Sequence, residues 1–117
     1  MTKELESIRK QLAILAGRKS ARTTEWTRGC PTEWQPTKVI DPRTDNDSPF
    51  TPDGAWDFVV QKLLDPEMAI QEVRLSNPAD KKGYVLHVDT DQGPIYIKVQ
   101  FGNGGKIIGR SFHYESR

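Results

Sequence analysis

The chain has 117 residues, 35% of them hydrophobic and 28% charged, with a formal net charge of +1. That length supports one hydrophobic core rather than two, and the composition is too apolar for a wholly disordered chain. Apolar runs such as Phe58-Val59-Val60 are too short to span a bilayer, no secretory signal is expected from the charged N-terminus, and the single Cys30 excludes an internal disulfide, so a cytoplasmic, non-membrane protein is expected.

Thr2 is placed to cap a helix from Lys3 to about Ala16, closed by Gly17. Its Leu5, Ile8, Leu12 and Leu15 step by three, four and three and so share one stripe. Two heptads are too few for an independent coiled coil. The stripe must therefore rest on the protein's own core or on a partner. Residues 18–50 show no sustained period, being broken by Pro31, Pro36, Pro42 and Pro49. Trp26, Trp34 and Val39 predict that parts of this segment pack down as an irregular strap, with a short strand near Thr37–Ile40.

Residues 51–117 are better specified. Thr51-Pro52-Asp53 is a helix start: a capping hydroxyl, proline at the first helical position and an acid in the first turn. Trp56, Val59, Val60, Leu63 and Leu64 predict its buried face, and Pro66 ends it. Four strand-like segments follow, Ile70–Ser76, Gly83–Asp89, Ile95–Phe101 and Lys106–His113. They are separated by Asn77-Pro78, Asp91-Gln92-Gly93 and Asn103-Gly104-Gly105. Connections this short require antiparallel neighbours. The expected organisation is an N-terminal helix (1–17), a strap or linker (18–50) and an α+β unit (51–117) in which a helix packs on a four-stranded antiparallel sheet.

Alternation then sorts the side chains. Ile95, Ile97, Val99 and Phe101 point one way, with Tyr84, Leu86 and Val88, toward the Trp56 helix. Tyr96, Lys98, Gln100 and His87 point the other way. In the last strand Phe112 belongs inside, which puts His113 outside beside Lys98. Strict alternation then turns Arg110 inward, unless a bulge near Gly109 re-aims it. Two imidazoles, an ammonium and a phenol on one open face suit metal-free ribonuclease chemistry: one group takes the ribose 2′-hydroxyl proton, another protonates the leaving 5′-oxygen, and cations stabilise the phosphorus. Each residue alone is equally compatible with a solvated sheet face. Their shared parity is what joins them.

Charge is segregated along the chain. Residues 1–39 carry eight basic and four acidic side chains, residues 40–80 three and nine, and residues 81–117 six and three. The basic ends suit a phosphate-bearing partner if folding brings them to one face. Other motifs fail. Gly102-Asn103-Gly104-Gly105-Lys106 lacks the spacing of a phosphate loop and reads as a hairpin turn. Asp45-Asn46-Asp47-Ser48 lacks the closing glutamate of a calcium loop. One cysteine and two distant histidines make no zinc site, and neither metal nor cofactor is expected.

The run Ile95-Tyr96-Ile97-Lys98, a tight turn and a closing strand with Ser111-Phe112-His113 resembles the C-terminal half of the MqsR-like (motility quorum-sensing regulator) toxins, within the RelE-like group of bacterial toxin ribonucleases. There a strand tyrosine and a basic residue after a Ser-Phe pair serve the cleavage site; these positions match Tyr96 and His113. Arg110-Ser111-Phe112-His113-Tyr114 is also similar to the Arg-x-His-Tyr terminus of the YoeB-like branch, with one extra residue between arginine and histidine. The MqsR-like pattern has lysine where His113 stands, and the resemblance covers about the last third of the chain. It implies a RelE-like fold, mRNA as substrate, with or without the ribosome, and a cognate antitoxin as partner.

The reading is a toxin-type endoribonuclease. His113 is its principal acid/base, Lys98 and Arg110 serve the phosphate, Tyr96 and His87 assist, and Gln100 and Tyr114 contact substrate. Its rivals are a non-enzymatic protein-binding module (an antitoxin, immunity or phage adaptor protein), using the acidic middle and the Leu5 stripe, and an RNA-binding module without cleavage.

Overall fold

The Thr51 hydroxyl accepts the Gly54 amide proton at 2.9 Å and starts the helix Pro52–Leu64 (α2). The computed structural model describes residues 3–76 and 81–115; the Thr2 cap and the Asn77-Pro78 turn lie outside them. Within that range α2 and the helix Lys3–Ala16 (α1) cover one face of a mixed six-stranded sheet. The strands are Arg22–Thr23 (β1), Glu33–Trp34 (β2), Gln71–Arg74 (β3), Lys82–Val88 (β4), Ile95–Gly102 (β5) and Lys106–Tyr114 (β6). The architecture is α+β.

Strands β3 to β6 pair as an antiparallel meander in chain order. The expectation of four strands is corrected by the strap, which adds β1 and β2, each parallel to β6. Two-residue strands carry no period of their own, so the sequence could not mark them. The expected strand at Thr37–Ile40 is instead a 3-10 turn, Pro36–Lys38, followed by a single bridge from Ile40 to Pro49. Proline at the first position presets the turn, and the Lys38 and Val39 amides bond back to the Gln35 and Pro36 carbonyls instead of to a strand. Trp34 and Val39 pack inward as expected, whereas Trp26 is 61% exposed.

Beneath the helices lie Leu86, Ile95, Ile97, Val99, Ile107 and Phe112, each fully buried. Phe50 from the strap meets both Phe58 and Phe112 edge-on, with ring centroids 5.1 and 5.0 Å apart. Phe58 is buried and Leu64 is 58% exposed, which corrects the expected α2 face. The buried face of α1 is Arg9, Leu12, Ala13 and Ala16, with Leu5, Ile8 and Leu15 partly covered against the same core. That stripe therefore rests on the protein itself.

Arg9 is 3% exposed and caps the end of α2. Its Nε donates to the Leu63 carbonyl at 2.7 Å, and Nη2 donates to the Asp65 and Met68 carbonyls at 2.8 Å and to Lys62 at 3.3 Å. Helix C-termini leave carbonyls without intrahelical partners, and a guanidinium satisfies several at once. At the other end of α2, Arg43 grips Asp41 with Nε at 2.9 Å and Nη2 at 2.8 Å, and Nη2 also reaches the Gly54 carbonyl at 3.0 Å.

Between Lys98 and Val99 the β5–β6 register slips: Lys98 pairs with Ser111 and Val99 with Gly109, leaving Arg110 as an extra residue. This β-bulge resolves the direction of Arg110. Gly109 beside it lies under the Trp34 indole, which stacks on Trp56 at 4.7 Å and meets Phe112 edge-on at 5.2 Å. A Cβ at 109 would stand 2.6 Å from Trp34 Cε3. Only glycine fits there.

Two predictions follow from this packing. Gly109→Ala should lower stability by about 1–3 kcal/mol in urea unfolding; a variant as stable as wild type contradicts the Trp34 contact. Arg43 holds the Asp41 carboxyl below its usual range, chiefly through their side-chain hydrogen bonds. The resulting stabilisation is complete above the unfolded carboxyl pKa of about 4 and is lost as pH falls through the lower folded value. Asp41→Asn should therefore cost about 2 kcal/mol at pH 7, with the difference from wild type shrinking below about pH 4. A pH-independent difference would contradict the ion pair's role.

Candidate functional site

Beyond the bulge, β6 alternates again with its phase shifted by one residue, so Phe112 opposes Ile97 in the core and His113 opposes Tyr96 on the uncovered face. On the other side of Tyr96, across β5, stands His87 of β4. The three side chains form one rung: the His87 and Tyr96 rings are edge-on at 5.5 Å, and the Tyr96 and His113 rings are stacked at 5.5 Å and 24°. With Glu115 they line a shallow depression of about 280 Å³.

Each imidazole has a carboxylate partner. His87 Nδ1 pairs with Glu115, which leaves Nε2 without a partner among the described residues. His113 Nε2 lies 3.0 Å from the exposed Glu33 carboxylate, and its Nδ1 lies 2.8 Å from the Tyr114 carbonyl. Carbonyl and carboxylate oxygens only accept, so the ring meets both neighbours fully when it carries a proton on each nitrogen. The two histidines thus occupy different hydrogen-bonding situations on either side of one phenol.

Lys98 follows Tyr96 on the same face, opposite Ser111 and therefore diagonal to His113, a separation of about 7–8 Å between backbones. Partial burial pulls the pKa of Lys98 down, the Arg110 charge adds to this, and Glu33 opposes it. Burial and the nearby Glu115 raise the Tyr96 pKa, which keeps the phenol a hydrogen-bond donor at neutral pH.

Three expected contacts are corrected. Arg110 faces the same side as Lys98 but is only 6% exposed; its Nε donates to the Pro31 carbonyl at 2.8 Å and Nη1 to Gln100 Oε1 at 2.5 Å. It ties the strap to the sheet. Gln100, 4% exposed, is held by Arg110 and by the Cys30 thiol at 4.0 Å, so it is closed to substrate. Tyr114 pairs with Ile95 on the helix side, and its hydroxyl accepts the Ile40 amide proton at 3.0 Å. It anchors the strap and lies away from the rung.

Glu33 and Glu115 were not among the expected residues. Glu115 was within reach of sequence reasoning, being two residues beyond His113 and hence on the same face. Glu33 was not, because its place depends on the β2–β6 pairing at long range. Among the described residues, no group of three or more His, Cys, Asp and Glu side chains is placed to hold a metal ion. No helix there is long and apolar enough to cross a membrane. Compared with protein-family models, curated proteins and solved structures, the chain has no match.

Replacing Arg110 with methionine removes the cation beside Lys98. The Lys98 pKa should then rise toward the ordinary lysine value, read by NMR titration of its side-chain carbon. An unchanged or lower value would contradict the coupling between the two.

Proposed function

We propose that the protein is a small endoribonuclease that cleaves single-stranded RNA by proton transfer alone. The observation that carries this is the His87–Tyr96–His113 rung with Lys98 beside it. In this reading His87, oriented by Glu115, is the base: its Nε2 takes the ribose 2′-hydroxyl proton as that oxygen attacks phosphorus. The bond from phosphorus to the 5′-oxygen breaks, and His113 gives the leaving oxygen the proton it otherwise shares with Glu33. Tyr96 and Lys98 donate to the non-bridging phosphate oxygens, where charge accumulates. The products are a 2′,3′-cyclic phosphate and a 5′-hydroxyl end.

His87 takes the part of base, and His113 that of acid, because their carboxylate and carbonyl neighbours differ as described. Resemblance to the MqsR-like and RelE-like toxins supports mRNA as substrate and an antitoxin as protein partner. Packing of the Leu5 stripe on the chain's own core removes one argument for the protein-binding alternative.

The test is incubation of the purified chain with end-labelled single-stranded RNA. Cleavage to cyclic-phosphate ends is expected, blocked by a 2′-deoxy substitution at the cut site. His87→Ala and His113→Ala should each slow it about 10²–10⁴-fold. Intact RNA, or cleavage that both variants leave at the wild-type rate, refutes the proposal.

A further inference from the structure

The two sides of the sheet end differently. On one side β1 and β2 cover β6; on the other, no described residue pairs with the outer edge of β3, where Gln71, Glu72 and Arg74 are exposed. The Leu75 amide donates to the Lys81 carbonyl at 2.8 Å. Hydrogen-bonded pairs alternate in an antiparallel ladder, so Val73 and Gln71 also bond inward to β4. The N–H and C=O groups of Glu72 and Arg74 therefore point outward, unpaired by the sheet.

We infer that β3 is the interface of a symmetric dimer, in which a second copy of this chain adds its β3 antiparallel with the two-fold axis at Val73. That register sets Glu72 opposite Arg74 of the second copy, and Arg74 opposite its Glu72. These are the residues whose backbone groups point outward, so the only dyad that pairs the charges also pairs the hydrogen bonds.

Charge supplies the second argument. Arg74 stands directly opposite Lys82 within the chain, an unfavourable like-charge pair. Glu72 lies on the same face, near Lys82 at 3.6 Å and the Tyr84 hydroxyl at 3.4 Å. With Glu4, Leu5 and Ile8 it lines a depression of about 300 Å³ whose two acids suit an arginine. Arg74 of the second copy, directly opposite Glu72 and on its face, enters that depression. A carboxylate from the same copy reaches Arg74 in return. The inference does not depend on the ribonuclease reading.

A four-residue edge makes a weak dimer, with a dissociation constant on the order of 10–100 µM. Sedimentation equilibrium across that range should show the mass rising from 13.3 kDa toward twice that value. Arg74→Glu and Glu72→Arg each put like charges across the axis and should be monomeric, with circular dichroism reporting the fold. An equimolar mixture of the two variants should dimerise, because each supplies the charges the other needs. A monomeric wild type throughout the range, a dimer that the reversals leave unchanged, or a mixture that stays monomeric overturns the inference.

Discussion

The site depends on one extra residue. With a regular β5–β6 ladder continued from the Val99–Gly109 pair, Phe112 would oppose Tyr96 on the open face and His113 would oppose Ile95 in the core. The bulge at Arg110 exchanges these two fates: it keeps a phenylalanine inside, an imidazole outside, and carries Glu115 to the imidazole's side. Two contacts hold it. Trp34 presses on Gly109 from the helix side, and the Arg110 guanidinium bonds Pro31 and Gln100 on the other. An offset of one position in a strand reverses every side chain beyond it, so such a bulge needs firm support.

The strap supplies that support and explains why more than a quarter of the chain lacks a repeating pattern. It closes β6, which would otherwise be an edge, with β1 and β2, and delivers Trp34 to one face of the sheet and Glu33 to the other. Its backbone is fixed by side chains of the sheet: Arg110 at Pro31 and Tyr114 at Ile40. Arg9 does the corresponding work for α2, whose last carbonyls would be buried without partners. Buried polar residues here join segments far apart in sequence. Removing one leaves its partner unsatisfied, a larger loss than the bond itself contributes.

Local signals carried much of the fold. Helix α2 begins at its Thr51 cap and ends shortly before Pro66, α1 ends beside Gly17, and β4 to β6 lie between the turns that were expected to separate them. Alternation also placed His87, Tyr96 and Lys98 on the uncovered face, and the inward position of Phe112 required His113 to join them. What could not be read is long-range: β1 and β2 are too short to show a period, and the Phe50 ring that packs on Phe58 comes from the strap. Arg110, Gln100 and Tyr114 read as polar groups available to a substrate, but each is engaged by a strap residue whose position no local pattern announces. The direction of Arg110 was undetermined for the same reason: a bulge is set by its neighbours across the sheet.

The rung of two imidazoles about one phenol is the claim on which the rest turns, and proton NMR reaches it directly. In a nuclear Overhauser spectrum the Tyr96 ring should show cross-peaks to the ring protons of both His87 and His113, while Phe112 contacts Phe50. Cross-peaks joining His113 to Phe50 or Ile95, with Phe112 beside Tyr96, would show an unbulged strand and contradict the account.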